Sequence, residues 1–399
     1  MEKFDFSGKR VLVTGGTGFI GGRLVEKLVL ECNAKVRVLV RNYASASRIA
    51  RFPIEMVHGN VTESDDVEAA VDGCDIVFHC AWEVQDSLSM ERRVNVEGTR
   101  NVLQAALQAG VQRVVHLSTV LVYGAMPDGE FDETTSRNPD NAYAKSNLET
   151  EKLAVSYAGN GLAVSVLQPT IVYGPYARAW TVGVLNQLKR GRVILVNGGD
   201  GLCNAVYIDD MVSAILLAAV KNEAIGEVFL ISGERPVTWK EFYGSYEQIL
   251  GFSSTVSMTA AKAEAYYTRK FRKGRLFKEA FSIMREEGSV RQRVLETREV
   301  SALMKIARQL LPKQIKQTLR SRFSSNGIHQ PQGVTGVEKP ILPLHPSIIK
   351  VNAAKSGACI DKAKRLLGYR PVFDFESGMR LTKQWSRWAN YLDNKKEIL

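Results

Sequence analysis

The chain has 399 residues, 45% of them hydrophobic and 24% charged, which is enough apolar material to bury one or two domain-sized cores. That composition excludes a disordered chain and a collagen-like fibre, and five scattered cysteines without a CxxC pair exclude a disulfide scaffold or a structural zinc site. The formal charge of +11 is local: residues 262–322 hold 17 Lys and Arg against 6 Asp and Glu, so one segment carries the whole excess and the main body offers no basic face to nucleic acid.

Arg10–Thr14 (RVLVT) predicts a first strand with no apolar leader before it, followed by a Gly-rich turn and a helix reaching Glu31. Lys35–Val40 and residues 53–58 read as the second and third strands, and residues 65–71 as a helix leading into a fourth strand at 75–80. Helix 97–109, strand 112–118, helix 143–158 and strand 163–167 continue the alternation. Strands that are apolar runs rather than alternating patterns imply a parallel sheet covered on both faces. The fold expected is α/β, a doubly wound parallel Rossmann-type sheet over 1–170.

After residue 170 short elements punctuated by Gly and Pro predict a smaller α+β substrate region, over 171–257 and 336–399, with Trp385 and Trp388 as anchors of its tail. Residues 258–335 form a basic helical insert ending in a Gly-, Pro- and Gln-rich linker. The longest apolar stretch, 214–220, is far short of a membrane span, so a cytoplasmic location is expected. Within the insert, Leu303, Ala307, Leu310, Leu311, Ile315, Leu319 and Phe323 recur at helical spacing among basic residues. That pattern fits two roles: peripheral docking on an anionic membrane surface or an acidic partner, or packing of the apolar face on the main body.

Gly15, Gly16, Thr17, Gly18, Phe19, Ile20 and Gly21 follow the first strand and open the first helix, where a dinucleotide-binding turn belongs. Glycines allow a tight turn and close approach to a pyrophosphate, and the helix N-terminus favours its charge. Arg41 stands where an acidic residue would hold an NAD ribose, and a guanidinium there suits the 2′-phosphate of NADP. NAD(P) is the cofactor expected, with NADP favoured.

The motifs TGGTGFIG (14–21), HGNVTE (58–63), VFHCAW (77–82), STVLVYG (118–124), YAKSN (143–147), QPTIVYGP (168–175) and VYIDD (206–210) resemble the extended short-chain dehydrogenases/reductases, also called the NAD-dependent epimerase/dehydratase family. The resemblance implies cofactor contacts at Asn60, Val61, Cys80, Ala81 and Pro169, a supporting role for Asn95, and a Ser/Thr–Tyr–Lys constellation. Here those places hold Thr119, Tyr143 and Asn147, so the lysine is absent, and Lys145 lies two residues from Tyr143, off its helix face. Three readings stay open: a tyrosine working without the usual lysine, a cofactor-binding protein without turnover, and an enzyme using another acid/base.

Val120 and Leu121 after Thr119 replace the Asp-Glu of sugar-nucleotide dehydratases, which disfavours dehydration. Gln168 and Cys203 stand where nucleotide-sugar enzymes of this family carry arginines, with Arg178, Lys189 or Arg192 as substitutes. The resemblance puts epimerisation or reduction of a nucleotide-sugar-like small molecule first, and reduction of a sterol-like or lipid ketone second. A homodimer is compatible with it. His79, His58 and His116 read as structural, Trp82 as a pocket wall or a core residue, and Asp209 and Asp210 as helix caps rather than metal ligands.

Overall fold

The computed structural model describes residues 4–83, 92–126, 128–283 and 339–392, with side chains described to residue 271 in the last helix before the gap. Seven strands form the central sheet: β1 (Arg10–Thr14), β2 (Lys35–Val40), β3 (Glu55–His58), β4 (Ile76–His79), β5 (Arg113–Leu117), β6 (Val164–Pro169) and β7 (Val228–Ile231). All are parallel, in the order β7-β6-β5-β4-β1-β2-β3. The order reverses between β1 and β4, and such a switch point leaves a crevice beyond the carboxyl ends of the strands.

Both faces of the sheet are buried, which is why the strands read as continuous apolar runs. Val11, Val13, Val36, Val38, Ile76 and Phe78 pack on one side beneath α1 (Phe19–Leu30) and α5 (Ile208–Val220). Leu12, Leu39, Val77 and Val114 face the other side, against α2 (Ser64–Val71), α3 (Gly98–Gln108) and α4 (Ala142–Gly159). Arg37 interrupts that second face, and its guanidinium donates to the carbonyls of Ala70 and Asp72, at the C-terminal end of α2 where the dipole favours a cation.

The later chain builds short pairings beside this sheet: Ile171–Tyr173 with Ala205–Tyr207, Val193–Val196 with Thr255–Met258, and Gly129–Phe131 with Ser356–Ala358. Three expectations change. Trp388 is 75% exposed and anchors nothing, whereas Trp385, also on α6 (Phe375–Trp388), packs its ring at a tilt against Tyr176 and Tyr391. Asp209 and Asp210 lie in the first turn of α5 without capping it. Asp209 takes a two-point ion pair from Arg23, and Asp210 accepts from the backbone N–H of Val372 and Phe373, clamping the C-terminal segment. Met258, expected to open the insert helix, instead ends the strand Thr255–Met258, and the helix is Ala260–Ile283.

The chain divides into two compact units, Met1–Ala263 with Pro340–Leu399, and Glu264–Lys339. In the second unit Tyr267 and Phe271 stack one turn apart with ring centroids 4.3 Å apart. The amphipathic stretch 303–323 lies outside the described residues. Among the described residues no helix is long and apolar enough to cross a membrane.

Candidate active site

The ends of β1, β4, β5 and β6 and the first turns of α1 and α4 line a cavity of about 540 Å³. Gly15, Gly18, Phe19, Ile20, Gly21, Cys80, Ala81, Thr119, Tyr143, Asn147 and Pro169 all face it. Gly16 and Thr17 complete the turn but are not among the lining residues, and a Cβ on Gly16 would come within 2.6 Å of Val38 beneath the turn. Asn60 and Val61 are not among the lining residues; Asn60 Oδ1 accepts from Thr62 N and Val61 packs against Gly98.

The Gly-rich turn fits a dinucleotide for a steric reason. Gly15 sits at φ +69°, and a Cβ there would lie 2.5 Å from the Cys80 carbonyl oxygen; on Gly21 it would lie 2.4 Å from the Gly15 carbonyl. No side chain caps the N-terminus of α1 and no acidic residue occupies its first turn, so its N–H groups meet the cavity unopposed.

On α4 the Asn141 carboxamide accepts from Ala144 N at 2.9 Å, which starts the helix just before Tyr143. The Tyr143 ring meets Trp82 edge-on, with centroids 5.4 Å apart. Asn147 is 1% exposed, and its Nδ2 donates to the Tyr143 carbonyl at 2.9 Å. Lys145 is exposed, as its position two residues along the helix requires. Thr119 Oγ1 accepts from Leu121 N at 3.3 Å, closing the short turn Val120–Tyr123.

His79 is a structural residue, and its hydrogen bonds define its state. Thr99 gives its hydroxyl proton to the Asn95 carbonyl at 2.6 Å, so it accepts from His79 Nε2 at 3.0 Å, leaving Nδ1 to accept from Thr14 Oγ1 at 2.7 Å. Burial pushes His79 down to about 4 and lowers the stacked His116 as well. Desolvation raises the Cys80 thiol to about 12, so it is an inert wall. Asn95 brackets Glu83, accepting from its N–H at 2.9 Å and donating to its carbonyl at 2.8 Å, and so fixes the segment that carries Trp82.

Arg41 is engaged rather than open: its Nη1 lies 2.5 Å from Glu83 Oε2. The cavity wall also includes Leu117, Val120, Leu121, Thr170, Ile171 and Trp180. No charged side chain is among the described lining residues, and Arg178, Lys189 and Arg192 do not line it. Among the described residues no cluster of three metal-ligating side chains occurs.

The family model for the NAD dependent epimerase/dehydratase family matches residues 11–232, more than half of the chain. The chain belongs to that family. This epimerase/dehydratase-family protein is 28% identical over 265 residues to the 4-hydroxy-2-methyl-3-oxo-4-farnesyl-3,4-dihydroquinoline-1-oxide ketoreductase of Stigmatella aurantiaca, covering 64% of this chain and 79% of the relative. It is 29% identical to the UDP-glucose 4-epimerase of Vibrio cholerae, over 58% of this chain and 73% of the relative. Its fold is similar to that of dTDP-glucose 4,6-dehydratase from Streptomyces venezuelae, solved with NAD bound, with TM-score 0.64, 23% identity, and 97% of this chain and all of that one covered.

Proposed function

We propose that the chain catalyses NAD(P)-dependent hydride transfer at a secondary alcohol or ketone carried on a largely apolar skeleton. The observation that carries this reading is the cavity wall: Trp82, Leu117, Leu121, Ile171 and Trp180 beside Tyr143 and Thr119, without a charged side chain among the described lining residues. A nucleoside diphosphate calls for cations at its phosphates. The positions where nucleotide-sugar enzymes of the family carry arginine hold Gln168 and Cys203, both buried. The relative named as a ketoreductase of a farnesyl-bearing ring system supports the same substrate class. The nucleotide-sugar reading is second and rests on the relative named as UDP-glucose 4-epimerase.

When bound, NAD(P) supplies or accepts the hydride. Tyr143 exchanges the proton with the substrate oxygen and Thr119 orients that oxygen. Asn147 is a neutral carboxamide and does not supply the ammonium that would favour a phenolate at Tyr143. A reduction draws a proton from the tyrosine at the outset, whereas epimerisation opens with an oxidation and needs the phenolate first. Residues 1–170 form the cofactor side of the site and 171–257 with 336–399 the substrate side. On the cofactor side Arg41 supports a 2′-phosphate and Glu83 opposes it.

The test is purified protein with NADH and with NADPH against ring ketones and UDP-sugars. Net oxidation of the reduced cofactor by apolar ketones supports the reading. Interconversion of UDP-glucose and UDP-galactose without net oxidation replaces it with the nucleotide-sugar reading. Cofactor binding with no turnover of either class leaves a cofactor-binding protein.

A further inference from the structure

One buried carboxylate ties down the wall of the site from behind. Glu151 lies two turns beyond Tyr143 on α4 and is 3% exposed. Its Oε2 accepts from Ser118 Oγ at 3.0 Å and from Gln168 Nε2 at 2.7 Å, and its Oε1 accepts from Arg137 Nε at 2.7 Å. Gln168 Oε1 in turn accepts from the Tyr123 hydroxyl at 2.7 Å, and burial raises that phenol so that it stays a donor.

These contacts converge on the elements that build the cavity. Ser118 and Tyr123 bracket the turn that carries Thr119, Val120 and Leu121. Gln168 immediately precedes Pro169 at the end of β6, and Glu151 shares its helix with Tyr143 and Asn147. A carboxylate removed from water needs a counter-charge, and Gln168 supplies none. Arg137 supplies it from the loop before α4, where its guanidinium also donates to the Glu133 carbonyl and lies 5.6 Å from the Tyr123 ring centroid.

We propose that Glu151 is the positioning residue of this site, and that Arg137 provides from the loop the cation that position 168 lacks, so that the pair fixes Thr119 and Pro169 relative to Tyr143. The proposal rests on the reading of Thr119 and Tyr143 as reacting-site residues. It differs from a merely structural role in one respect. The cation is required but its origin is not, so an arginine on β6 replaces the one in the loop.

The test compares wild type, Glu151→Gln, Arg137→Gln, and Arg137→Gln combined with Gln168→Arg, using the ketone turned over by wild type. A displaced reacting group costs on the order of 100-fold, so Arg137→Gln and Glu151→Gln lose about that much in kcat with KM for the cofactor little changed. Adding Gln168→Arg to Arg137→Gln recovers most of the loss. Equal kcat in the single and double arginine variants, or wild-type kcat in Glu151→Gln, overturns the proposal. Where Arg137→Gln fails to fold, folding and turnover restored by Gln168→Arg support it, and an unfolded double variant overturns it.

If wild type turns over no ketone, the functional reading has failed, and the emission of bound NADH or NADPH takes over as the readout. Emission lost in Arg137→Gln and regained in the double variant supports positioning. Equal emission in all forms refutes it.

Discussion

Asn147→Lys is the most informative single change, because it restores a charge that the site lacks. Residues four apart on a helix lie about 5–6 Å apart at Cβ. At a charge separation of about 5–6 Å and an effective dielectric constant of about 20, an ammonium stabilises a phenolate by about 3 kcal/mol, so the added lysine lowers the Tyr143 phenol. The new side chain has to leave the position of Asn147, whose amide is 1% exposed and bonded to the Tyr143 carbonyl, so some loss of stability accompanies the gain. The assay is the pH dependence of kcat/KM in alcohol oxidation, where activity requires the phenolate. In Asn147→Lys the acid limb moves to lower pH than in wild type, and the rate on that limb rises roughly tenfold or more. An acid limb that does not move, in a variant that still folds and binds NAD(P), refutes the assignment of Tyr143 as the acid/base.

The other predictions follow from particular contacts. Glu83→Gln frees the Arg41 guanidinium now held at 2.5 Å, so NADPH affinity rises relative to NADH by roughly fivefold, and titration of both cofactors checks it. Gly15→Ala forces a Cβ to 2.5 Å from the Cys80 carbonyl at positive φ, costing roughly 1–3 kcal/mol of stability and abolishing cofactor binding, as thermal melts with and without NAD(P)H will record. Acid destabilises the fold through His79. Its folded value of about 4 lies below the ordinary 6.5, so the unfolded chain takes up the proton first and stability present above pH 6.5 is lost as pH falls toward 4. That amounts to about 2 kcal/mol between pH 7 and pH 5 for His79, and His116 shifts in the same direction. Urea midpoints at the two pH values measure the loss, and His79→Gln, which does not titrate, shows a correspondingly smaller one. An equal loss in the variant removes His79 as the cause.

The sheet was legible in the sequence because its strands are buried on both faces and its glycines stand at the first crossover. RVLVT and KVRVLV declare themselves without reference to anything distant. β7 (VFLI) did not, since only its pairing with β6, some sixty residues earlier, separates a four-residue apolar run from an ordinary buried segment. The same division holds at the site. Tyr143, Thr119 and the Gly-rich turn come from motifs, and all of them reach one cavity. Trp180 arrives through the irregular turn Arg178–Gly183, which no local pattern marks. Arg41 was legible as a cation, but its capture by Glu83 depends on how two strand ends meet. Trp385 and Trp388 lie three residues apart on one helix, and composition alone gives no reason for one to pack and the other to face solvent.

The two departures from the family pattern, at 147 and 168, act in the same sense. Each replaces a cation by a carboxamide, and both carboxamides are buried at the margin of one cavity: Asn147 is bonded to the backbone of its own helix and Gln168 to Glu151. The counter-charge for Glu151 survives, carried by Arg137, which is not among the residues lining the cavity. Of the two positions only 147 faces the cavity; Gln168 is not among the lining residues, and the charge that holds the wall at Glu151 is carried by Arg137. An uncharged cavity lowers the cost of admitting an apolar ketone, because no ammonium or guanidinium has to be stripped of water on the ligand's account. Asn147 also supplies no ammonium to favour a phenolate at Tyr143. In the proposed reading substrate class and direction of reaction are linked: the substrate is an uncharged ketone and the tyrosine gives its proton to it. A chain that turned over UDP-sugars as an epimerase would need to recover the cation missing at 147 from elsewhere.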